Sequence, residues 1–104
     1  MNYSENRKTQ VYLSLGSNLG DREKNILNAI DLLEDSLKKD IKISSFYESK
    51  ALGFDSNQNF LNICAKFETI IAPLELLKTI HQIEKKLGRI RVENSGYIDR
   101  IIDI

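Results

Sequence analysis

The chain has 104 residues, 41% of them apolar, enough for one domain with a core of its own. Fifteen basic residues balance fifteen acidic ones, which excludes a global pull toward nucleic acid or an anionic membrane and leaves only local basic clusters to bind phosphate. The single cysteine, Cys64, excludes an internal disulfide and suits a reducing, cytoplasmic setting, and no stretch approaches the ~18 apolar residues of a membrane helix.

The opening MNYSENRKTQ is polar, without the apolar run of a secretory leader. Residues 1–9 are expected to form a loose polar tail and residues 10–104 the domain. QVYLSL, residues 10–15, reads as a first strand, and the turn-rich GSNLGD follows. Asp21 can cap a helix whose apolar residues Ile26, Ile30, Leu33 and Leu37 share one face. Residues 40–48 place Ile41, Ile43, Ser45 and Tyr47 at alternate positions and suggest one continuous second strand, with a loop from about Ser49 to Asn59. Across residues 60–69, Leu61, Ile63, Ala65 and Phe67 point one way, while Phe60, Asn62, Cys64, Lys66 and Glu68 point the other. Pro73 suits the first turn of a second helix and Gly88 its end. Leu76, Ile80, Ile83 and Leu87 form the core stripe of that helix, with Leu77, His81 and Glu84 beside it. Residues 89–97 form an irregular loop and residues 98–104 a last strand. The order β-α-β-β-α-β predicts an α+β, ferredoxin-like sandwich with both helices on one face of the sheet. That architecture hosts many unrelated functions.

Arg89, Arg91 and Arg100, with Tyr97 between them, surround a flexible stretch. Three guanidiniums converging there could chelate a polyphosphate; a solvated basic loop closing a helix has the same composition. By parity Asp99, Ile101 and Asp103 share a side of the last strand, where a strand carboxylate either binds a metal or is simply solvated. GSNLG lacks the GK[ST] of a phosphate loop and reads as a tight strand-to-helix turn. Phe60 and Asn62, side by side on the face away from the core, suit a flat heterocycle through stacking and amide hydrogen bonds, or else an ordinary half-buried sheet surface. His81 and Glu84 sit three apart on a helix, as an acid–base or metal pair or a surface hydrogen bond. Cys64, with no partner thiol and no neighbouring histidine, reads as a small buried residue.

Five separate segments, LGSNLGDRE, SSFYES-KALGF, FLN, APLELL…IHQIEKKLGRIR and the closing Asp-Arg-x-Ile-Asp-Ile, run from near Tyr12 to the last residue. Together they resemble the 6-hydroxymethyl-7,8-dihydropterin pyrophosphokinases of folate biosynthesis. The resemblance implies transfer of pyrophosphate from ATP, the co-substrate, to the pterin hydroxymethyl group, with release of AMP. It implies that Ser49, Leu52, Phe60 and Asn62 contact the pterin, and that Leu77, His81 and Glu84 lie near the nucleotide. Arg89, Arg91 and Arg100 would bind the triphosphate and carry catalysis, Tyr97 stands where the family has a tryptophan on its closing loop, and Asp103 would be the first of two aspartates that hold two Mg²⁺ ions. Lys50 and Ala51 stand where the family often has prolines. The second magnesium aspartate of the family follows the position of Ile104. This chain is therefore expected to be a truncated version of very low activity, with an exposed last strand that favours self-association. The expected partners are small molecules, not nucleic acid or membrane. Two rivals share the architecture: a non-catalytic ligand- or RNA-binding module using Phe60 on the open sheet, which the balanced charge disfavours, and a regulatory or dimerisation domain, which leaves the three arginines unexplained.

Overall fold

The computed structural model describes residues 8–50 and 59–88, together with Ile102 and Ile104. Its elements are β1 (Thr9–Ser17), α1 (Arg22–Leu37), β2 (Lys42–Ile43), β3 (Tyr47–Ser49), β4 (Phe60–Thr69) and α2 (Pro73–Lys86). β4 is the spine of the sheet. β1 runs antiparallel along one edge, from Thr9↔Thr69 to Ser17↔Leu61, and β2 and β3 follow each other antiparallel along the other. This is the anticipated α+β, ferredoxin-like arrangement. The expected last strand lies outside the described residues except for Ile102, which is buried, and Ile104, which packs against the core.

Alternation along β4 sets the two faces. Ile63, Ala65 and Phe67 are buried against the helices, while Cys64, Lys66 and Glu68 are exposed on the open side. α1 contributes Ile26, Ala29, Ile30, Leu33 and Leu37 to the core, and α2 contributes Leu76, Ile80 and Ile83, so each helix buries one stripe as its spacing requires. The Asp21 carboxylate accepts from the Lys24 N–H at 3.1 Å and caps the first turn of α1. At the other end Lys38 adopts a left-handed φ of 56°, and its N–H returns to the Glu34 carbonyl. α2 starts on Pro73, which has no N–H to leave orphaned, and Gly88 follows it with φ 96°. Among the described residues no helix is long and apolar enough to cross a membrane.

The second strand departs from expectation. It is two short segments, not one strand over residues 40–48. Ile43 pairs with Ala65 and Tyr47 with Asn62, so residues 44–46 span an interval that residues 63 and 64 span on β4. One extra residue on the edge strand makes a β-bulge. Ser44 stabilises it: its N–H donates to the Cys64 carbonyl at 2.9 Å, and its hydroxyl accepts from the Cys64 N–H at 2.9 Å. A side-chain oxygen thus stands where the ladder would offer a carbonyl. Beyond the bulge the side-chain parity reverses. Phe46 packs against the core, and Tyr47, expected on the side of Ile41 and Ile43, joins the open face at 46% exposure.

Two outcomes test this account. Asp21→Ala should lower the unfolding free energy by about 1 kcal/mol, measured by urea denaturation at unchanged slope; no loss would show that the cap is not needed. Deletion of Ser45 should equalise the two intervals, with Ser44 opposite Cys64 and Phe46 opposite Ile63, and keep Tyr47 opposite Asn62 on the open face, so that the nuclear Overhauser contact between the Tyr47 ring and Cys64 persists. Loss of that contact would show that residues 44–46 do not hold a single surplus residue.

Candidate functional site

The end of the sheet where β1, β3 and β4 meet gathers polar and aromatic side chains on the open face. Asn62 is opposite Gly16 on one side and Tyr47 on the other, and Phe60 is opposite Ser49. The Asn62 Nδ2 donates to Ser49 Oγ at 2.9 Å and lies 3.3 Å from the Tyr47 carbonyl and 3.4 Å from that of Phe60. The Asn62 Oδ1 occupies the space a side chain at position 16 would need: a Cβ on Gly16 would lie 2.7 Å from it and 3.3 Å from the Phe60 ring. Glycine permits this close approach, and any side chain at position 16 would push the Asn62 amide aside.

The GSNLGD turn holds Gly16 in place from behind. Ser17 and Asn18 are fully buried, and the Asn25 amide of α1 donates to Ser17 Oγ at 3.1 Å and to the Leu19 carbonyl at 2.8 Å. Gly20 turns the chain into the helix with φ 67°. The hexamer does lead from strand to helix, but its first two residues, Gly16 and Ser17, are the paired end of β1, two residues beyond the expected end of the strand.

Ser49, Phe60 and Asn62 were anticipated together and the structure brings them together. Gly16 and Tyr47 complete the patch and were not anticipated. Gly16 was missed because the strand is expected to end at Leu15 with Gly16 opening the turn, whereas β1 continues through Ser17; the bulge removed the signal for Tyr47. The Tyr47 hydroxyl lies 3.7 Å from Cys64 Sγ. That hydrogen bond, then partial desolvation and then the charge of Cys64 push the Tyr47 phenol above its ordinary value. Cys64 is exposed, not the buried residue expected: it follows the outward parity of β4 and its small size does not draw it into the core.

The expected nucleotide stripe on α2 divides. Leu77 and His81 are exposed, and Leu77 lines an apolar hollow of about 320 Å³ with Val11, Ile71, Pro73, Leu76 and Ile80. Glu84 is buried, and its carboxylate accepts from the Ile104 N–H at 3.0 Å. It ties α2 to the end of the chain. Leu52, Arg89, Arg91, Tyr97, Arg100 and Asp103 lie outside the described residues. Among the described residues no group of three or more His, Cys, Asp or Glu could hold a metal ion.

The model of the 7,8-dihydro-6-hydroxymethylpterin-pyrophosphokinase family matches residues 12–104. The chain is 53% identical over 79 residues to a 2-amino-4-hydroxy-6-hydroxymethyldihydropteridine pyrophosphokinase of Aquifex aeolicus, covering 76% of this chain and 49% of that protein. It is 41% identical over 95 residues to proteins of the same name from Porphyromonas gingivalis and Bacillus subtilis, covering 90% of this chain and 65% and 57% of theirs. The chain thus spans about half to two thirds of the length of these relatives. Because the match runs from the first strand to the last residue, the chain belongs to the 7,8-dihydro-6-hydroxymethylpterin-pyrophosphokinase family.

Proposed function

We propose that this chain serves ATP-dependent transfer of pyrophosphate to the hydroxymethyl group of 6-hydroxymethyl-7,8-dihydropterin, releasing AMP, in cytoplasmic folate biosynthesis. The observation that carries the reading is the Asn62 amide, seated against Gly16 and beside Phe60 and Ser49. A pterin is flat and carries no large charge, so stacking and directional hydrogen bonds must recognise it. Phe60 supplies an aromatic surface, and Asn62 supplies a donor and an acceptor for the amide-like edge of the ring. Ser49 and Leu52 complete the pterin contacts.

The nucleotide is the opposite kind of ligand, a flat base joined to a dense anion. Leu77 offers an apolar surface on which the base packs, with His81 and Glu84 nearby. Arg89, Arg91 and Arg100 bind the triphosphate and stabilise its charge as it redistributes, and Tyr97 closes over it. The pterin hydroxyl oxygen forms a bond to the β-phosphorus, the bond from that phosphorus to the oxygen bridging the α-phosphate breaks, AMP leaves, and the hydroxyl proton is released. Two Mg²⁺ ions held at the hard carboxylate oxygens of Asp103 and a second acid would neutralise the triphosphate and align it for in-line attack. The partners in this reading are small molecules, with no nucleic acid.

Calorimetric titration of the chain with 6-hydroxymethyl-7,8-dihydropterin and with Mg-ATP, followed by an AMP-release assay, tests the reading. Heat with both ligands supports it; a folded sample that binds neither overturns it. Asn62→Leu should weaken the pterin about 30-fold, the loss of two modest hydrogen bonds, and leave Mg-ATP affinity unchanged. Equal pterin affinity in the variant would remove Asn62 from the site. Gly16→Ala should displace the Asn62 amide and weaken the pterin about tenfold, with the circular-dichroism spectrum unchanged.

A further inference from the structure

Arg22 begins α1, on a turn fixed by the Asp21 cap. Its guanidinium reaches across to the sheet and touches β3 and the residue that leads into β4, next to the Asn62 patch. Nη1 donates to the Asn59 carbonyl at 2.9 Å, and Nη2 donates to the Glu48 carboxylate at 3.2 Å. Asn59 directly precedes Phe60, and Glu48 sits between Tyr47 and Ser49. The last pair of the β3–β4 ladder is Ser49↔Phe60, so the guanidinium spans the two strands close to where their pairing stops.

The charge attraction is not what this contact supplies. Glu48 is 54% exposed and Arg22 32%, and ion pairs so open to solvent contribute little stability. The geometry is the substantive part. A planar guanidinium holds two acceptors at a fixed separation, which a single ammonium on a flexible stem does not. One acceptor is a backbone carbonyl on β4's approach and the other belongs to β3. Fixing their separation fixes that of Ser49 and Phe60.

We infer that Arg22 is a positioning residue for the pterin: it sets the spacing of Ser49 and Phe60 at the end of the sheet, and through that spacing the affinity of the Asn62 patch. The role rests on the pterin reading proposed above. It acts without touching the substrate, so its signature is local order together with a selective loss of one ligand.

Amide hydrogen exchange by mass spectrometry, on segments 47–50 and 59–62 of the unaltered chain, Arg22→Ala and Arg22→Lys, reads the clamp with no ligand present. Arg22→Ala should speed exchange in both segments about tenfold and leave residues 63–67 unchanged. Arg22→Lys, which keeps the charge and loses the fork, should fall between the two. Calorimetry should then show pterin binding about tenfold weaker in Arg22→Ala, with Mg-ATP affinity unmoved. Unchanged exchange overturns the clamp. Faster exchange with unchanged pterin affinity overturns its role in positioning, as does equal weakening of both ligands with a general loss of protection. If the unaltered chain binds no pterin, the functional reading fails by that result alone, while the exchange data still decide whether Arg22 clamps the strands.

Discussion

The backbone N–H of Cys64 donates to the hydroxyl of Ser44, where a regular antiparallel ladder would offer a carbonyl. This contact accommodates one surplus residue on the edge strand, and the consequences spread along it. Before it, Ile41 is buried on the helix side. After it, Phe46 packs inward and Tyr47 and Ser49 lie opposite Asn62 and Phe60 on the open side. Were residues 43–49 instead paired in one unbroken register, Tyr47 would stand opposite Leu61, Ser49 would face the helices, and Asn62 would lose the hydroxyl that holds its amide. A bulge at a sheet edge beside a functional patch is a common device for re-aiming side chains.

β4 carries two tasks on one strand because its period is two. The odd positions Ile63, Ala65 and Phe67 bind the helices, and the even positions Phe60, Asn62 and Cys64 lie on the open face, the first two half-buried and Cys64 exposed. The core side anchors the strand by burial. Rigidity gained there is transmitted to the other face, because a side chain on the open side moves only if the backbone does. Gly16 uses that rigidity: it lets Asn62 approach β1 more closely than any other residue would allow.

The helices were legible because their signals are local and redundant. Asp21, the spacing of Ile26, Ile30, Leu33 and Leu37, Pro73 and Gly88 each name a boundary or a face. The long strand β4 was legible for the same reason. The bulge was not. Ile41, Ile43, Ser45 and Tyr47 alternate as a strand should, and nothing local in SSFYES marks a surplus residue; it exists only relative to the register of β4. The exposure of Cys64 was half legible, since parity placed it outward while its type suggested the interior. Within the candidate site, the pairing of Phe60 with Asn62 followed from parity, whereas Arg22 carries no mark in sequence because both its acceptors are distant, one of them a backbone carbonyl. Glu84 is expected in the stripe beside the core one with Leu77 and His81, but it is buried and accepts from the Ile104 N–H.

The state of Asn62 bears on how a flat, uncharged ring would be selected. Its Nδ2 already donates to Ser49 Oγ, so the amide is held in one orientation before any ligand arrives. A ligand that bonds this amide exchanges one set of hydrogen bonds for another, and the net gain per bond is small, on the order of 1 kcal/mol. The penalty for a wrong ligand is larger. A ring that covers the patch without a matching donor and acceptor removes water from the amide and from Ser49 and returns nothing, which costs about 1–3 kcal/mol for each group stranded. On the proposed reading, discrimination would then come more from what the patch refuses than from what it attracts. It works only if the amide cannot swing away to find another partner. Gly16 beneath it, Ser49 beside it and the bulge that brings Ser49 there all restrict that movement, so in the proposed two-bond recognition the selectivity would be carried by residues that form neither bond.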